Sequence, residues 1–215
     1  MPGSWIDISL PIEPASTAWS GLPGPTLRAL SRIEDGAAVQ VGQLDCCLHT
    51  GTHADAPAHV LANGRTVDRL DPGAFVGPAL LLHIEAQDRI GQDELRRLGL
   101  DAIRGRPEAA RILVATPRPF DGRHFPTRIP HLEPEAAEYL IWLGARLVGV
   151  DQPSIDPLDS QSMPAHKLLF GADACLLENL DFGRLRPGAY ELAAAPIRIR
   201  GADAAPVRAL LRPRG

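Results

Sequence analysis

His49-Thr-Gly-Thr-His53-Ala-Asp55-Ala-Pro-Ala-His59 holds three of the chain's seven histidines and one aspartate in eleven residues. All four sit at odd positions. In extended backbone successive side chains alternate faces, so residues at i, i+4, i+6 and i+10 project the same way. Imidazole and carboxylate groups at this density suit a transition-metal ion, with zinc the natural candidate. His49 and His53 also have the i, i+4 spacing of helical zinc proteases. That motif needs Glu directly after its first histidine, and here Thr50 stands in the place. Gly51 and Pro57 disfavour a helix, so the segment is expected to be extended or looped, with Gly51 letting the backbone approach the ion. Any one of these histidines alone reads as a surface residue. Three of them with an aspartate, beside Gly and Pro, read as a metal site.

Three ligands do not complete a two-metal site. Further down the chain, Ala165-His-Lys-Leu-Leu-Phe-Gly-Ala-Asp-Ala-Cys-Leu-Leu-Glu178 offers His166 and Glu178. By spacing alone His166 reads equally as a helix surface residue and Glu178 as a solvated strand end. If both bind, Asp55 has two oxygens with which to bridge two ions, which in such hydrolases sit ~3.5–4 Å apart. His59, set off by Ala-Pro-Ala, is better placed as an acid/base group, since an imidazole titrates near ~6.5. His83, in an apolar stretch, reads as a satisfied core residue. His124 and His131, among Pro and Arg, read as exposed loop residues.

Outward from the cluster, Ala37–Leu48 reads as a strand leading into it. Trp5–Pro11, Gly77–Ala86, Arg111–Thr116, Leu147–Val150 and Ala174–Leu177 read as further strands, with two more in Ala189–Arg200 and Pro206–Arg212. Gln92–Leu98, Glu133–Leu143 and Ala165–Phe170 read as helices, the second with Pro134 in its first turn and Gly144 as its stop. The pattern predicts an α/β protein, one domain over residues 1–215, with a mixed β-sheet core flanked by helices. A loop rich in Pro, Gly and Ser runs from Glu13 to Thr26 and carries Trp19. A lone Trp is more often core, but one among breakers is a candidate for touching a ligand.

Composition narrows the function classes. The 215 residues are 45% hydrophobic and 22% charged, ordinary for a globular protein. A net charge of −4 and an aromatic content of 5% give no basic footprint or stacking platform for nucleic acid. The N-terminus has no basic-then-apolar leader, and no apolar stretch is long enough to span a bilayer. Cys46, Cys47 and Cys175 are odd in number and form no CxxC pair, so they read as buried reduced thiols suited to the cytoplasm. There is no nucleophile elbow, phosphate loop or dinucleotide fingerprint.

The histidine motif resembles the signature of the metal-dependent cyclase-like hydrolases. Trp5-Ile-Asp-Ile-Ser, Gly149-Val-Asp-Gln-Pro-Ser-Ile-Asp-Pro-Leu-Asp-Ser160, Leu176-Leu-Glu-Asn-Leu and the tail from Gly188-Ala-Tyr-Glu-Leu to Arg212 resemble one branch, the bacterial kynurenine formamidases or arylformamidases. The likeness runs nearly the whole chain. It implies a cyclase-like swivelling β/β/α fold, a homodimer, and zinc-dependent hydrolysis of N-formyl-L-kynurenine to L-kynurenine and formate in tryptophan degradation. It implies His49, His53 and Asp55 on one zinc, Asp55, His166 and Glu178 on a second, His59 as proton donor/acceptor, and Trp19 against the substrate. The chain departs from the branch after the tryptophan. Trp-Pro-Gly-Asp-Thr-Pro is usual there, and here the sequence is Trp19-Ser-Gly-Leu-Pro-Gly-Pro-Thr26. Gln152 also stands where Thr is common. The altered loop keeps open a second reading, a relative acting on another amide or a cyclic ester.

Overall fold

The computed structural model describes residues 3–19 and 21–214. Ser20, in the loop that departs from the branch, and the first two residues of the N-terminal segment lie outside them. In chain order the strands are β1 (Ile6–Asp7), β2 (Thr26–Ser31), β3 (Val41–Asp45), β4 (His53–Asp55), β5 (Val76–His83), β6 (Arg89–Ile90), β7 (Arg111–Ala115) and β8 (His131–Leu132). They continue with β9 (Leu147–Val150), β10 (Cys175–Glu178), β11 (Gly188–Ala193), β12 (Ala204–Pro206) and β13 (Leu210–Pro213). The helices are α1 (Gln92–Arg97), α2 (Pro134–Leu143) and α3 (Pro164–Gly171). Nine strands form one mixed sheet in the order β1-β13-β11-β5-β7-β9-β10-β4-β12. The α/β class with a mixed sheet and few helices is as the sequence predicts.

The centre of the sheet is parallel, β5-β7-β9-β10, and each crossover carries one of the helices. Parallel neighbours need such long connections. Strand alternation sends Ile112, Val114, Val148, Val150 and Leu176 to the face covered by α1, α2 and α3. The intervening Leu113, Leu147 and Leu177 face a second core, closed by the flanking antiparallel strands and Phe75. In α2, Pro134 opens the first turn and Gly144 closes the last, and Ala136, Ala137, Leu140 and Leu143 are buried between them. Emptying the Leu140 position would cost about 2–5 kcal/mol.

Several sequence expectations shift. The first strand is shorter than Trp5–Pro11, reaching only Ile6–Asp7 with a bridge from Ser9 to Leu180. The stretch Ala189–Arg200 breaks after Ala193, and the last predicted strand is split into β12 and β13. β2, unread in the sequence, pairs with β3 in a separate two-stranded hairpin. His83 is exposed rather than core, because it ends β5 where the strand runs past its cover. His131 sits half-buried in β8, while His124 is exposed as expected. Cys46 and Cys47 are half-buried rather than buried; Cys175 is buried, and all three are free. Among the described residues, no helix is long and apolar enough to cross a membrane.

Candidate metal centre

The cluster does not run as one extended segment. Only His53 and Asp55 share a strand face, on β4. Gly51 stands at φ +64, where a side chain would press on Ile12, and it turns the chain before the strand begins. His49 therefore reaches the site from a turn. On the far side Pro57–His59 is a 3-10 turn, so His59 returns by a turn rather than by strand alternation. That turn is held from beneath by Gly64, since a Cβ there would lie 2.4 Å from the Pro57 carbonyl oxygen.

β4 pairs antiparallel with the C-terminal end of β10, and Glu178 is the cross-strand partner of His53. Ala54 and Leu177 face the second core, so His53, Asp55 and Glu178 project to the helix-covered face. There α3 lies over them, with His166 in its first turn. Four distant stretches thus converge. Nδ1 of His49 is 2.9 Å from Asp55 Oδ1, and Nε2 of His53 is 3.3 Å from the same oxygen. Nε2 of His166 is 3.4 Å from Asp55 Oδ2 and 3.4 Å from Glu178 Oε1. Glu178 Oε2 is 3.5 Å from His53 Nε2. The structure brings all five sequence-predicted ligands together.

The donor set fits metal ions. His53 Nε2, His166 Nε2 and Asp55 Oδ1 are buried and make no hydrogen bond. Unpartnered buried polar atoms are costly, and three converging on one point mark a place for a cation. Ligand atoms of His53, Asp55 and Glu178 lie within 4.8 Å of one another, as do those of His49, Asp55 and His59. The outer nitrogens are each engaged. His53 Nδ1 donates to the Gly51 carbonyl at 3.0 Å, His166 Nδ1 to Asp156 Oδ2 at 2.7 Å, and His49 Nε2 to Asp203 Oδ2 at 3.0 Å. Such outer partners fix each imidazole's tautomer and aim its lone pair inward.

Charge in the centre is unbalanced without cations. Burial resists charging His53, yet the Asp55 and Glu178 carboxylates push it up to about 10. His166 is likewise held well above the usual imidazole range by Asp156, Asp55 and Glu178, against its burial. Burial works to raise Asp55, but the surrounding imidazoles hold it well below the usual carboxylate range. Protons on these imidazoles stand in for the positive charge that an ion would bring, and a metal must displace them. His59 differs: partial burial lowers its pKa, against the pull of the Asp55 and Glu178 carboxylates.

Beside the imidazoles lies a cavity of about 210 Å³ walled by Trp19, Leu22, Leu158 and Met163, with Ser154 and Ser160 at its margin. Trp19 is half-buried, and its ring meets Phe125 edge-on at 4.9 Å. A larger cavity, about 540 Å³, lies across the Asp156–Leu158 segment among paired charges such as Arg89 with Glu133. It lacks the converging bare donors, so the smaller one, lined by His49, His59, His166 and Glu178, is the candidate reaction cleft.

Two structural residues of the site escaped the sequence reading. Asp156 accepts the Ala165 and His166 backbone N–H groups as well as the His166 imidazole, capping α3 and aiming its ligand at once. Its place four residues before Ser160 and eight before Pro164, which opens the helix, was the available signal. Asp203 lies in the tail, 154 residues from the histidine it holds, and nothing local marks it. Gln152, the small departure from the branch, bonds Thr116 and the Arg118 carbonyl at 2.7 Å each, tying the 116–118 loop to the end of β9.

The cyclase family model matches residues 6–157. The kynurenine formamidase of Geobacillus thermodenitrificans is 38% identical over 215 residues, covering 100% of both chains. That of Bacillus anthracis is 38% identical over 209 residues, 97% of each. Among solved structures, a predicted metal-dependent hydrolase from Bacillus stearothermophilus superposes with a TM-score of 0.81 at 30% identity, covering 98% of both chains.

Proposed function

The chain belongs to the cyclase family and, within it, to the kynurenine formamidases, and on that premise we propose that it hydrolyses N-formyl-L-kynurenine to L-kynurenine and formate with two zinc ions. The observation that carries the reading is the arrangement of Asp55. Its Oδ1 faces His49 and His53, and its Oδ2 faces His166. This supports His49, His53 and Asp55 on one ion, Asp55, His166 and Glu178 on the other, and Asp55 as the bridge. His59 is kept as the proton carrier.

Zinc bound there supplies Lewis acidity, which lowers the pKa of water toward ~7 and offsets negative charge on the formyl oxygen. The chain's own residues do the rest. Burial lowers the His59 pKa, which makes its protonated form the stronger acid, suited to passing the proton it takes from water to the departing aryl amine nitrogen. Trp19 packs on the substrate's aromatic ring, and Leu158 and Met163 complete the apolar wall. The acyl carbon of the proposed substrate bears only hydrogen, so a tight cleft, here about 210 Å³, would select against bulkier acyl groups.

The test is a formylkynurenine assay, followed by kynurenine absorbance, with zinc measured on the same sample. Turnover with zinc near two per chain is expected. No turnover in zinc-loaded protein would favour the second reading, a relative cleaving another amide or a cyclic ester, for which the altered loop after Trp19 speaks.

The protein is further proposed to act as a cytoplasmic homodimer. Its three free cysteines suit a reducing compartment. The β2–β3 hairpin supports the pairing: Leu27, Leu30, Ile33 and Val39 on it are each about 60% exposed, and a lone two-stranded ribbon is marginal without cover. Its two roots, Leu22 and His49, both line the cleft. Sedimentation should give twice the chain mass.

A further inference from the structure

We propose that Asp203 is a positioning residue that holds His49 and His59 together through one carboxylate oxygen. The proposal rests on the assignment of His49 as a ligand and His59 as the proton carrier. Asp203 Oδ2 lies 3.0 Å from His49 Nε2 and 3.6 Å from His59 Nδ1. The two imidazole centroids are 4.3 Å apart.

The backbone makes this placement rigid. Ala56 donates its N–H to the Asp203 carbonyl at 2.8 Å, and Val67 donates to the Ala202 carbonyl at 2.9 Å. The next residue, Ala204, is the register partner of Asp55 across β12 and β4. Asp203 is therefore locked one residue from the position facing the bridging carboxylate. Its side chain is 45% exposed, yet its Cα cannot drift from the ligand strand.

The chemistry follows from proton placement. A ligating imidazole must leave one nitrogen bare, and the proton on the other needs an acceptor. His53 uses the Gly51 carbonyl and His166 uses Asp156. His49 turns Nδ1 toward Asp55, so its proton lies on Nε2, facing Asp203. Asp203 completes a set in which every ligand histidine has its own outer acceptor. It differs from Asp156 in its second neighbour. Asp156 spends its remaining capacity on backbone N–H groups of α3, whereas Asp203 faces the imidazole of His59. At 3.6 Å that contact is too long for a hydrogen bond; it sets a carboxylate beside His59 Nδ1, where it would stabilise the imidazolium formed when His59 carries a proton.

Two variants separate the two effects. Asp203→Ala removes both contacts. Asp203→Asn keeps an acceptor for His49 but removes the charge beside His59. Zinc affinity is read by competition with a chromophoric chelator, and kcat and KM for formylkynurenine are read at saturating zinc. Asp203→Ala should release zinc about 10–100-fold more readily than wild type. Asp203→Asn should hold zinc nearly as well, yet lose about tenfold or more in kcat with KM little changed, as expected for an acid/base group whose imidazolium has lost its stabilising carboxylate. Its near-identical shape guards against misfolding, which a thermal melt checks. Wild-type zinc affinity in Asp203→Ala overturns the link to His49, and unchanged kcat in Asp203→Asn overturns the link to His59. The competition uses no substrate, so it stands even if formylkynurenine proves the wrong one; a wild type that binds no zinc would instead refute the metal assignment.

Discussion

The histidine side of the cleft and its Trp19 side are held by different means. On the histidine side each ligand sits on or beside regular structure, and His53, His166 and His49 each spend their outer nitrogen on a fixed acceptor. On the other side Trp19 stands in a loop and leans edge-on against Phe125, itself in a loop. Leu22 beyond it is 48% exposed and leads into the apolar hairpin. One side is preorganised for ions; the other is an apolar wall built from loops. The first is what the family likeness rests on, and the second is where this chain departs from the branch. On the proposed function, generic hydrolytic chemistry would reside on the histidine side and substrate choice on the loop-built one.

The sharpest way to break this division is Asp55→Ala. Both oxygens of Asp55 face ligand imidazoles, so its loss should empty both ion positions together, with turnover falling about 10³-fold or more. Metal analysis of the purified variant checks it. Retention of one zinc per chain would show that the centre is two independent sites. His59→Ala comes next. It should keep both ions and lose about 10²–10⁴-fold in kcat. Loss of zinc alongside activity would make His59 a ligand, which its closeness to His49 and Asp55 permits.

How much of each side could be read from sequence follows the same division. The candidate ligands His49, His53 and Asp55, with His59, were legible because they fall within eleven residues; His166 and Glu178 were weak by spacing alone and came from the family resemblance. The parity argument was only half right. Gly51 at φ +64 and the Pro57 turn interrupt the strand, which a pattern of odd positions cannot reveal. Asp203 was illegible because its role depends on β12 pairing with β4, a contact set by the whole sheet. β2 was missed because a register shift between Ala29 and Ser31 breaks its alternation, and because its apolar residues face outward.

A third test concerns the anchor behind the wall. Asp151 is buried and accepts the Thr116 N–H at 2.7 Å and the Thr116 hydroxyl at 2.9 Å, fixing the loop that leads to Phe120 and Phe125. Burial pushes its carboxyl up to about 6, more than these hydrogen bonds pull it down. The folded pKa thus exceeds the unfolded one. Asp151 contributes stability that is fully present below about 4 and is lost as pH rises through about 6. The expected loss is on the order of 2–3 kcal/mol between pH 4 and 7. Urea unfolding of wild type and Asp151→Asn at several pH values isolates it, since every other titrating group cancels in the difference. A wild-type advantage independent of pH would mean that the carboxyl is not held up by burial, and that the wall is anchored by hydrogen bonds alone.

Trp19→Ala should have the smallest effect, and it separates the two sides most cleanly. Trp19 shares the cavity with the proposed ligands but is not itself one, so zinc content should stay at the wild-type value. An aromatic pair contributes about 0.5–1.5 kcal/mol beyond area burial, so KM for formylkynurenine should rise about 2–10-fold with kcat less affected. Phe125→Ala should shift KM in the same direction by less, because it acts only by releasing Trp19. The two together should fall short of the sum of their separate effects, since Phe125 has nothing to support once the indole is gone. Full additivity would mean that Phe125 touches the substrate itself. A fall in kcat as large as that of His59→Ala would mean that the indole also orients the formyl group, and the wall's role would then extend beyond binding.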